Sequence, residues 1–201
     1  MEMSHFFAYL YRMKYISRWS LMKNTVSENL KEHSLDVAMV AHCLATIRRE
    51  VYGVDCDPDR IAVEALYHDA AETMTGDLPT PIKYMTPQIR DAYQAIEREA
   101  EMRILDMLPE ELKEAYRPLL SPCDEEEKTL LKAADRICAY IKCRQELKGG
   151  NDEYRRAAEQ TKLALDGMKL PEVTYFFETF LPSFELSIDE MDENFARTHK
   201  K

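Results

Sequence analysis

The chain has 201 residues, of which 45% are hydrophobic and 32% are charged, a composition typical of one soluble globular domain. Its formal net charge of −10 argues against broad binding to nucleic acid or to an anionic membrane, since both require a basic surface. The charge is unevenly spread, because residues 1–49 carry seven Lys or Arg and only four Asp or Glu. A small anionic ligand would therefore find positive partners in this N-terminal quarter or at a bound metal ion.

Apolar residues recur at steps of three and four along most of the chain, which predicts helices and leaves no need for strands. Proline follows Asp57 and Thr86, so these two residues are predicted helix N-caps. The predicted helices cover residues 4–13, 29–51, 58–74, 86–107, 110–117, 125–148, 152–166 and 172–181, and an acidic tail starts at about residue 188. No linker is long enough to divide the chain, so the sequence predicts an all-α, single-domain helical bundle over residues 1–201.

The cysteines and the hydropathy pattern bear on where the protein works. The five cysteines are odd in number and form no CxxC pair, so neither a disulfide framework nor a zinc ribbon is expected. No apolar run approaches the ~20 residues of a membrane span, and the first residues lack the pattern of a secretory signal. We therefore expect a protein of the reducing cytoplasm that does not contact a membrane.

Polar side chains interrupt the apolar faces of three predicted helices. His33 extends the apolar stripe of the second helix back by one turn, and Asp135 lies at the edge of a stripe near the middle of residues 125–148. His68 and Glu72 share a face of the third helix, with Asp69 beside them. Taken singly, such residues are more often core histidines with a satisfied hydrogen bond, or aspartates that accept a hydrogen bond between a helix and a loop. Taken together, two imidazoles and two carboxylates on three inward faces predict a divalent cation with open coordination positions.

The order His33, then His68-Asp69, then Asp135 is the H…HD…D pattern of the HD-domain metal-dependent phosphohydrolases, and the chain resembles that superfamily. The sequence around the motif is similar to that of the bacterial HD-domain 5′-deoxynucleotidases, and the similarity extends over nearly the whole chain, from Ser4 to Phe184. The segments that carry this closer likeness are Ser17-Arg18-Trp19, Asn29-Leu-Lys-Glu-His33-Ser-Leu, Tyr67-His-Asp-Ala-Ala-Glu72 and Thr75-Gly-Asp-Leu-Pro-Thr-Pro-Ile-Lys83.

The resemblance implies a helical bundle of the HD-domain type and the hydrolysis of a phosphomonoester. The substrate would be a 2′-deoxyribonucleoside 5′-monophosphate, cleaved to the deoxyribonucleoside and phosphate with tolerance of the base. His33, His68, Asp69 and Asp135 would hold one divalent transition metal ion per chain. A mixed nitrogen and oxygen set fits Mn²⁺, Co²⁺, Fe²⁺, Zn²⁺ or Cu²⁺ better than Ca²⁺.

The resemblance also assigns two catalytic residues. Glu72 would be the general acid and base, and Arg18 would hold and orient the phosphate through paired hydrogen bonds. Asp69 and Asp135 would contact the substrate as well as the ion. The alternative for Glu72 is a solvated glutamate in the last turn of the third helix, where the helix dipole disfavours a negative charge. The alternative for Arg18 is a surface arginine in a basic segment.

Trp19 and the loop Asp77-Leu78-Pro79-Thr80 would surround the nucleoside. Trp19 would pack on the sugar or base, or would instead anchor its loop to the core. Asp77 would accept a hydrogen bond from the 3′-hydroxyl, a close wall near C2′ would exclude ribonucleotides, and Thr80 would donate to the phosphate. The alternative for this loop is a rigid proline turn after a helix.

Three other functions stay open on the sequence. A related phosphohydrolase could act on a triphosphate or an alarmone, although residues 50–201 are strongly acidic for a polyphosphate site. An HD-GYP phosphodiesterase is disfavoured because no Gly-Tyr-Pro occurs. A non-catalytic helical binding module would use the metal for stability alone, and would lose helix content on chelation without ever showing turnover. A homodimer is expected by analogy with the family.

Overall fold

The computed structural model of the protein describes residues 3–122 and 124–192. Within these residues the chain is helical, with one isolated antiparallel bridge between Ser17 and Asn29. The α-helices are α1 Phe6–Tyr11, α2 Leu30–Glu50, α3 Pro58–Tyr67, α4 Glu72–Thr75, α5 Thr80–Lys83, α6 Pro87–Asp106, α7 Glu110–Leu120, α8 Glu125–Lys148, α9 Arg155–Met168, α10 Pro171–Thr179 and α11 Ile188–Met191. Short 3₁₀ turns cover Arg12–Tyr15, Asp152–Tyr154 and Leu181–Glu185. The all-α prediction is confirmed, while the assignment of residues 1–201 to one domain stays a prediction.

Side-chain caps set the starts of the long helices. The Asn29 side chain accepts hydrogen bonds from the backbone N–H groups of Lys31 and Glu32. The Glu32 side chain in turn accepts one from the backbone N–H of Asn29, which completes a capping box at the start of α2. Asp57 and Thr86 cap α3 and α6, as predicted, and a proline follows each of them. The beginning of α2 is therefore firmly placed, and this fixes His33 one turn inside it.

Two apolar clusters hold the bundle together. In the larger one, α2 packs between α3 and α8, with α9 and α10 against α8 and α2. Buried side chains such as Leu44, Ile61 and Ile137 each stabilise this core by about 1.5–3 kcal/mol. The smaller cluster joins α1, α6 and α7 around Phe6 and Ala70. Ala65 belongs to the first cluster and Ala70 to the second, so the turn between them is fixed from both sides.

The predicted helix over residues 58–74 starts at Pro58 as expected, but its predicted end is wrong, because α3 ends at Tyr67. The backbone N–H groups of Ala70 and Glu72 bond three residues back, to Tyr67 and Asp69, and not four residues back as in an α-helix. The imidazole of His68 bonds the carbonyl of Ala65, which takes up an acceptor that helix continuation would use. His68 and Asp69 therefore lie in a tight turn, and Glu72 begins α4 where the prediction put it in a last helical turn.

Other boundaries differ less. The short helix α5 was not predicted, and α7 continues to Leu120 past Pro118. The predicted helix 152–166 divides into a 3₁₀ turn and α9. The acidic tail begins with the single turn α11, capped by Ser187, and residues 193–201 of that predicted tail lie outside the described part of the chain. Among the residues described, none of the helices combines the length and apolar character that a membrane span requires.

Candidate active site

The four predicted metal ligands lie together at the junction of α2, α8 and the turn after α3. His33, His68 and Asp135 each offer an atom within 4.8 Å of the others. Oδ2 of Asp69 lies 3.0 Å from Nε2 of His68 and 3.9 Å from Nε2 of His33. The donors thus come from two helices and a turn, and not from three helices as the sequence predicted.

The hydrogen bonding of His68 leaves one ring nitrogen available to a cation. Its Nδ1 lies 2.7 Å from the carbonyl oxygen of Ala65, and a carbonyl can only accept, so Nδ1 carries a proton. In the neutral ring Nε2 then keeps a lone pair. Nε2 is buried and receives no hydrogen bond from the residues described, although a carboxylate oxygen of Asp69 is close to it. A lone pair beside a carboxylate requires a cation or a proton between them, which is the environment of a metal-binding histidine.

His33 is held in a matching way. Its Nδ1 lies 3.3 Å from Oε1 of Glu28, and its Nε2 lies 3.0 Å from Oδ1 of Asp135. Burial alone would lower the pKa of His33, but the two carboxylates outweigh it and raise the pKa to about 9. Without an ion the imidazole therefore carries a proton toward each carboxylate. A metal ion would take the place of the proton on Nε2, while Glu28 keeps the proton on Nδ1.

Both aspartates of the cluster are ionised. Burial would raise the pKa of Asp69, but His68, His33 and Arg18 hold it well below the usual range. The pKa of Asp135 is also lowered, against the effect of burial, by the hydrogen bond from His33 and the charge of Arg18. Charged carboxylates and an unprotonated imidazole nitrogen are the form that binds a divalent cation. The residues present therefore fit a transition metal ion.

Arg18 reaches over this cluster from the loop before α2. Its Nε donates to Oε1 of Glu28 at 2.9 Å, and its terminal nitrogens lie 3.5 Å from Asp69 and 4.0 Å from Asp135. The guanidinium is thus mostly buried directly beside the predicted ligands. Burial of the side chain contradicts the surface-arginine alternative, and phosphate binding by Arg18 stays a prediction.

A buried ion pair on α8 fixes the loop that carries Arg18. Glu146 accepts hydrogen bonds from the backbone N–H and hydroxyl of Thr25 at 2.9 and 2.6 Å, and from the side chain of Asn151 at 2.9 Å. Lys142 donates to Glu146 and to the carbonyl of Val26, each at 2.5 Å. These contacts join the loop to the same helix that supplies Asp135, two and three turns further on.

Trp19 follows Arg18 with a positive φ of 57°, a left-handed conformation that is uncommon for a bulky residue. The indole packs on the buried ring of Tyr154, with 5.2 Å between centroids, and belongs to the edge of the larger core cluster. The anchoring alternative is therefore what the contacts support. The indole N–H is buried and has no hydrogen-bond acceptor among the described residues, and contact with a nucleoside stays a prediction.

Glu72 lies beside the cluster on α4 and is only 4% exposed. Oε1 accepts a hydrogen bond from Lys83 at 3.2 Å, while Oε2 is buried with no partner among the described residues. Burial and the charge of Asp69 raise the pKa of Glu72 to about 8, although Lys83 acts in the opposite direction. The solvated alternative for Glu72 is wrong, since the carboxyl group is buried three residues after a predicted ligand.

The loop after α4 lies near the cluster of predicted ligands, close enough for Asp77 to interact with the charges of Arg18 and Asp69. Gly76 adopts a φ of 74°, which directs the chain away from α4, and Asp77, Leu78 and Pro79 are half-buried before Thr80 starts α5. Burial raises the pKa of Asp77, and the charge of Arg18 counteracts this, so the two side chains sense each other. Both the substrate-loop and the rigid-turn interpretations are compatible with this geometry, and the assigned contacts stay predictions.

The chain matches the family described as 5′-deoxynucleotidase YfbR-like over residues 5–184. A 5′-deoxynucleotidase from Vibrio cholerae is 52% identical over 95% of this chain and 100% of its own length. The 5′-deoxynucleotidase YfbR from Shigella boydii is 48% identical over 96% of this chain and 98% of its own length. The chain belongs to the YfbR-like 5′-deoxynucleotidase family.

Solved structures agree on the fold of this family member. An HD-domain phosphohydrolase from Listeria innocua superposes with a TM-score of 0.79 at 21% identity, covering 96% of this chain and 92% of the other. The HD phosphohydrolase DatZ of cyanophage S-2L, solved with dA and one catalytic Zn²⁺, gives a TM-score of 0.60 at 24% identity, covering 88% and 96% of the two chains. The predicted HD-domain architecture is therefore confirmed.

Sequence reasoning missed three residues that shape this site. Glu28 precedes the cap of α2 and was not distinguished from other acidic residues of the loop. Glu146 follows Lys142 by one helical turn on the inward face of α8, and that spacing could have revealed the buried pair. Lys83 ends the segment from Thr75 to Lys83 that resembles the family, yet only the fold shows that its side chain contacts Glu72.

Proposed function

We propose that this family member is a metal-dependent 5′-deoxynucleotidase that converts 2′-deoxyribonucleoside 5′-monophosphates to deoxyribonucleosides and phosphate. The observation that carries the proposal is the pairing of Arg18 with the His33, His68, Asp69 and Asp135 cluster, beside the buried Glu72. A cationic group next to a metal site is what a phosphate dianion requires. Relatives that are 52% and 48% identical to this chain are named 5′-deoxynucleotidases, which supports a deoxynucleotide substrate.

His33, His68, Asp69 and Asp135 would hold one divalent transition metal ion. Such an ion supplies electrophilic stabilisation of a phosphate oxygen and lowers the pKa of a bound water. The Zn²⁺ named in the cyanophage structure belongs to that protein, and Co²⁺, Mn²⁺, Fe²⁺, Zn²⁺ and Cu²⁺ are all compatible with the donor set.

The residues of the chain divide the remaining tasks. Arg18, oriented by Glu28, binds the phosphate and neutralises its charge. Glu72 moves a proton between the attacking water and the leaving 5′-oxygen, a role worth about 10²–10⁴-fold in rate. Its burial keeps bulk water from exchanging that proton.

Asp77 and its loop select the sugar. Asp77 accepts a hydrogen bond from the 3′-hydroxyl of the sugar, and Thr80 donates a hydrogen bond to the phosphate. Leu78 and Pro79 limit the space near C2′. Trp19 packs beside the nucleoside while remaining anchored on Tyr154. No charged side chain is assigned to the base, so we expect all common bases to be accepted.

The protein acts as a homodimer in the cytoplasm. Support for the dimer comes from an apolar groove between α2 and α3, where Leu35, Met39 and Leu66 are between 42% and 58% exposed. Light scattering should show Met39→Glu as a monomer, with Leu163→Glu on the exposed face of α9 as the matched control. A wild-type monomer would contradict the dimer.

One set of assays tests the function. Phosphate release is measured from deoxyribo- and ribonucleoside 5′- and 3′-monophosphates, after chelation and re-addition of each divalent ion. We expect turnover of deoxyadenosine 5′-monophosphate, little of the ribonucleotide and none of the 3′-monophosphate. Absence of turnover with every ion would favour the non-catalytic module, and preference for a triphosphate would favour the related phosphohydrolase.

A further inference from the structure

Lys83 is held between two carboxylates that belong to different helices. Its Nζ lies 3.2 Å from Oε1 of Glu72 on α4 and 3.1 Å from Oε1 of Glu97 on α6. The side chain of Glu72 is 5% exposed and that of Lys83 is 21% exposed. A buried carboxylate is unfavourable without a partner, so the ammonium group stabilises Glu72 where it lies.

The contact with Lys83 distinguishes the two oxygens of Glu72. Oε1 accepts the hydrogen bond from Lys83, whereas Oε2 is buried and receives none from the part of the chain that the structure describes. The oxygen left to exchange a proton with a bound reactant is therefore Oε2. The contact with Lys83 favours the orientation of the carboxylate in which Oε1 is bonded and Oε2 is not.

One face of α6 supports this arrangement. Tyr93, one turn before Glu97, donates through its hydroxyl to the carbonyl of Gly76 at 3.3 Å, and its ring centroid lies 4.7 Å from Nζ of Lys83. The same hydroxyl is 3.3 Å from Oγ1 of Thr75. The end of α4 and the tip of Lys83 are thus tied to the same helix, which reduces motion of Glu72 relative to its partner.

Lys83 also belongs to the segment that carries the predicted sugar contacts. The backbone N–H of Lys83 bonds the carbonyl of Pro79 at 3.1 Å within the single turn of α5. Residues 77–83 therefore link the sugar loop to Glu72 through one ion pair.

We infer that Lys83, anchored by Glu97, is a positioning residue that holds Glu72 with Oε2 free for proton transfer. The inference rests on the proposed function, because Lys83 acts on the reaction only through Glu72. Misplacing a catalytic group by about 1 Å can reduce the rate by about 10²-fold, so the loss should fall on kcat. Substrate and metal contacts are made by other residues and should be little affected.

The test compares Lys83→Met, Lys83→Arg and Glu97→Gln in the metal-loaded full-length protein, with deoxyadenosine 5′-monophosphate as substrate. Lys83→Met should lower kcat by about 10- to 100-fold, with KM and metal content within about threefold of the wild type. Lys83→Arg keeps a cation between the carboxylates and should recover most of kcat. Glu97→Gln should lose about three- to tenfold, since the lysine keeps its contact with Glu72.

Matched controls exist elsewhere in the fold. Lys113 on α7 also lies between two carboxylates, 3.1 Å from Asp106 and 2.9 Å from Glu110, and Lys113→Met should leave kcat unchanged. Glu99 on α6 pairs with the exposed Arg103, and Glu99→Gln is the control for Glu97.

A double-mutant cycle gives the decisive readout. In a Glu72→Gln background, Lys83→Met should cause no further loss in single-turnover rate, because Lys83 affects the reaction only by positioning the carboxylate of Glu72. Multiplicative losses, a wild-type kcat in Lys83→Met, or a parallel loss of metal would overturn the inference. If Lys83→Met does not fold, Glu97→Gln carries the same cycle in the Glu72→Gln background. Wild-type protein that hydrolyses no deoxynucleotide would refute the proposed function itself, and the inference with it.

Discussion

Oε1 of Glu28 lies 3.3 Å from Nδ1 of His33, and the same oxygen accepts the 2.9 Å hydrogen bond from Nε of Arg18. One carboxylate therefore orients a predicted metal ligand and the predicted phosphate-binding residue together. Burial would raise the pKa of Glu28, but His33 and Arg18 outweigh it and lower the pKa, so the group stays ionised. The predicted metal site and the predicted phosphate site share this support.

Removal of Glu28 should therefore weaken both sites. Glu28→Ala leaves His33 free to rotate, and loss of such an outer partner typically costs about 10–100-fold in metal affinity. KM for the deoxynucleotide should rise as well, because Arg18 loses its fixed orientation. Glu28→Gln keeps an acceptor oxygen and should be milder. Competition titration with a chromophoric chelator gives the metal affinity, and Glu114→Ala on the exposed face of α7 is the control. Unchanged metal affinity and KM would remove Glu28 from both roles.

Removal of the metal should abolish turnover while the helices persist. The core clusters are built from apolar side chains and include none of the four predicted ligands, so chelation should remove only the contribution of ion binding to stability. Asp69→Ala should behave in the same way, since it deletes one ligand at a turn held by Ala65 and Ala70. Circular dichroism, phosphate release and elemental analysis are measured on one sample, with Asp91→Ala on the surface of α6 as the control. Collapse of the helical signal on chelation would favour a metal-stabilised binding module.

The sequence was sufficient for most helix starts and for the polar residues that the fold brings together, because both follow local rules. Periodic apolar residues and the caps at Asn29, Asp57 and Thr86 determine where helices begin. His33 and Asp135 could be placed because they interrupt such periods. The turn at His68 could not, since it depends on a side chain that competes for a backbone carbonyl and on packing against two clusters.

Contacts between distant parts of the chain also could not be predicted from the sequence. Glu146 is 121 positions from Thr25, and Lys83 reaches Glu97 from an unpredicted helix. Each pair depends on how whole helices pack, and no local pattern encodes that. Trp19 shows the same limit, because its partner Tyr154 lies in another part of the chain and only the fold brings them together.

Glu146 should make stability depend on pH. Burial would raise its pKa, but Lys142, Thr25 and Asn151 outweigh burial and hold the pKa well below its usual range. A carboxyl group with a lowered pKa in the folded state stabilises the protein above its unfolded pKa of about 4.3, and loses this effect as the pH falls. Glu146→Gln leaves Lys142 buried without its counterion, so it should cost about 3 kcal/mol at pH 7.

Urea unfolding of wild type and Glu146→Gln at a series of pH values measures this dependence. The difference in free energy of unfolding should be largest near neutral pH and should shrink below about pH 4. Glu159→Gln, exposed on α9, serves as the control. A difference that stays constant across this range would show that Glu146 is not the group responsible. Glu146→Gln should also raise KM, because the loop that carries Arg18 loses its attachment to α8.

Asp77 should report on the 3′-hydroxyl of the substrate. Its carboxylate is half-buried in the loop between Gly76 and α5, where a hydrogen bond to a charged acceptor contributes about 1.5–3 kcal/mol. Asp77→Ala should therefore reduce kcat/KM for deoxyadenosine 5′-monophosphate by about 10–100-fold. With 2′,3′-dideoxyadenosine 5′-monophosphate, which lacks that hydroxyl, the same substitution should have little effect. Asp106→Ala, exposed at the end of α6, is the control. Equal losses with both nucleotides would mean that Asp77 shapes the loop without contacting the sugar, and the rigid-turn interpretation would then stand.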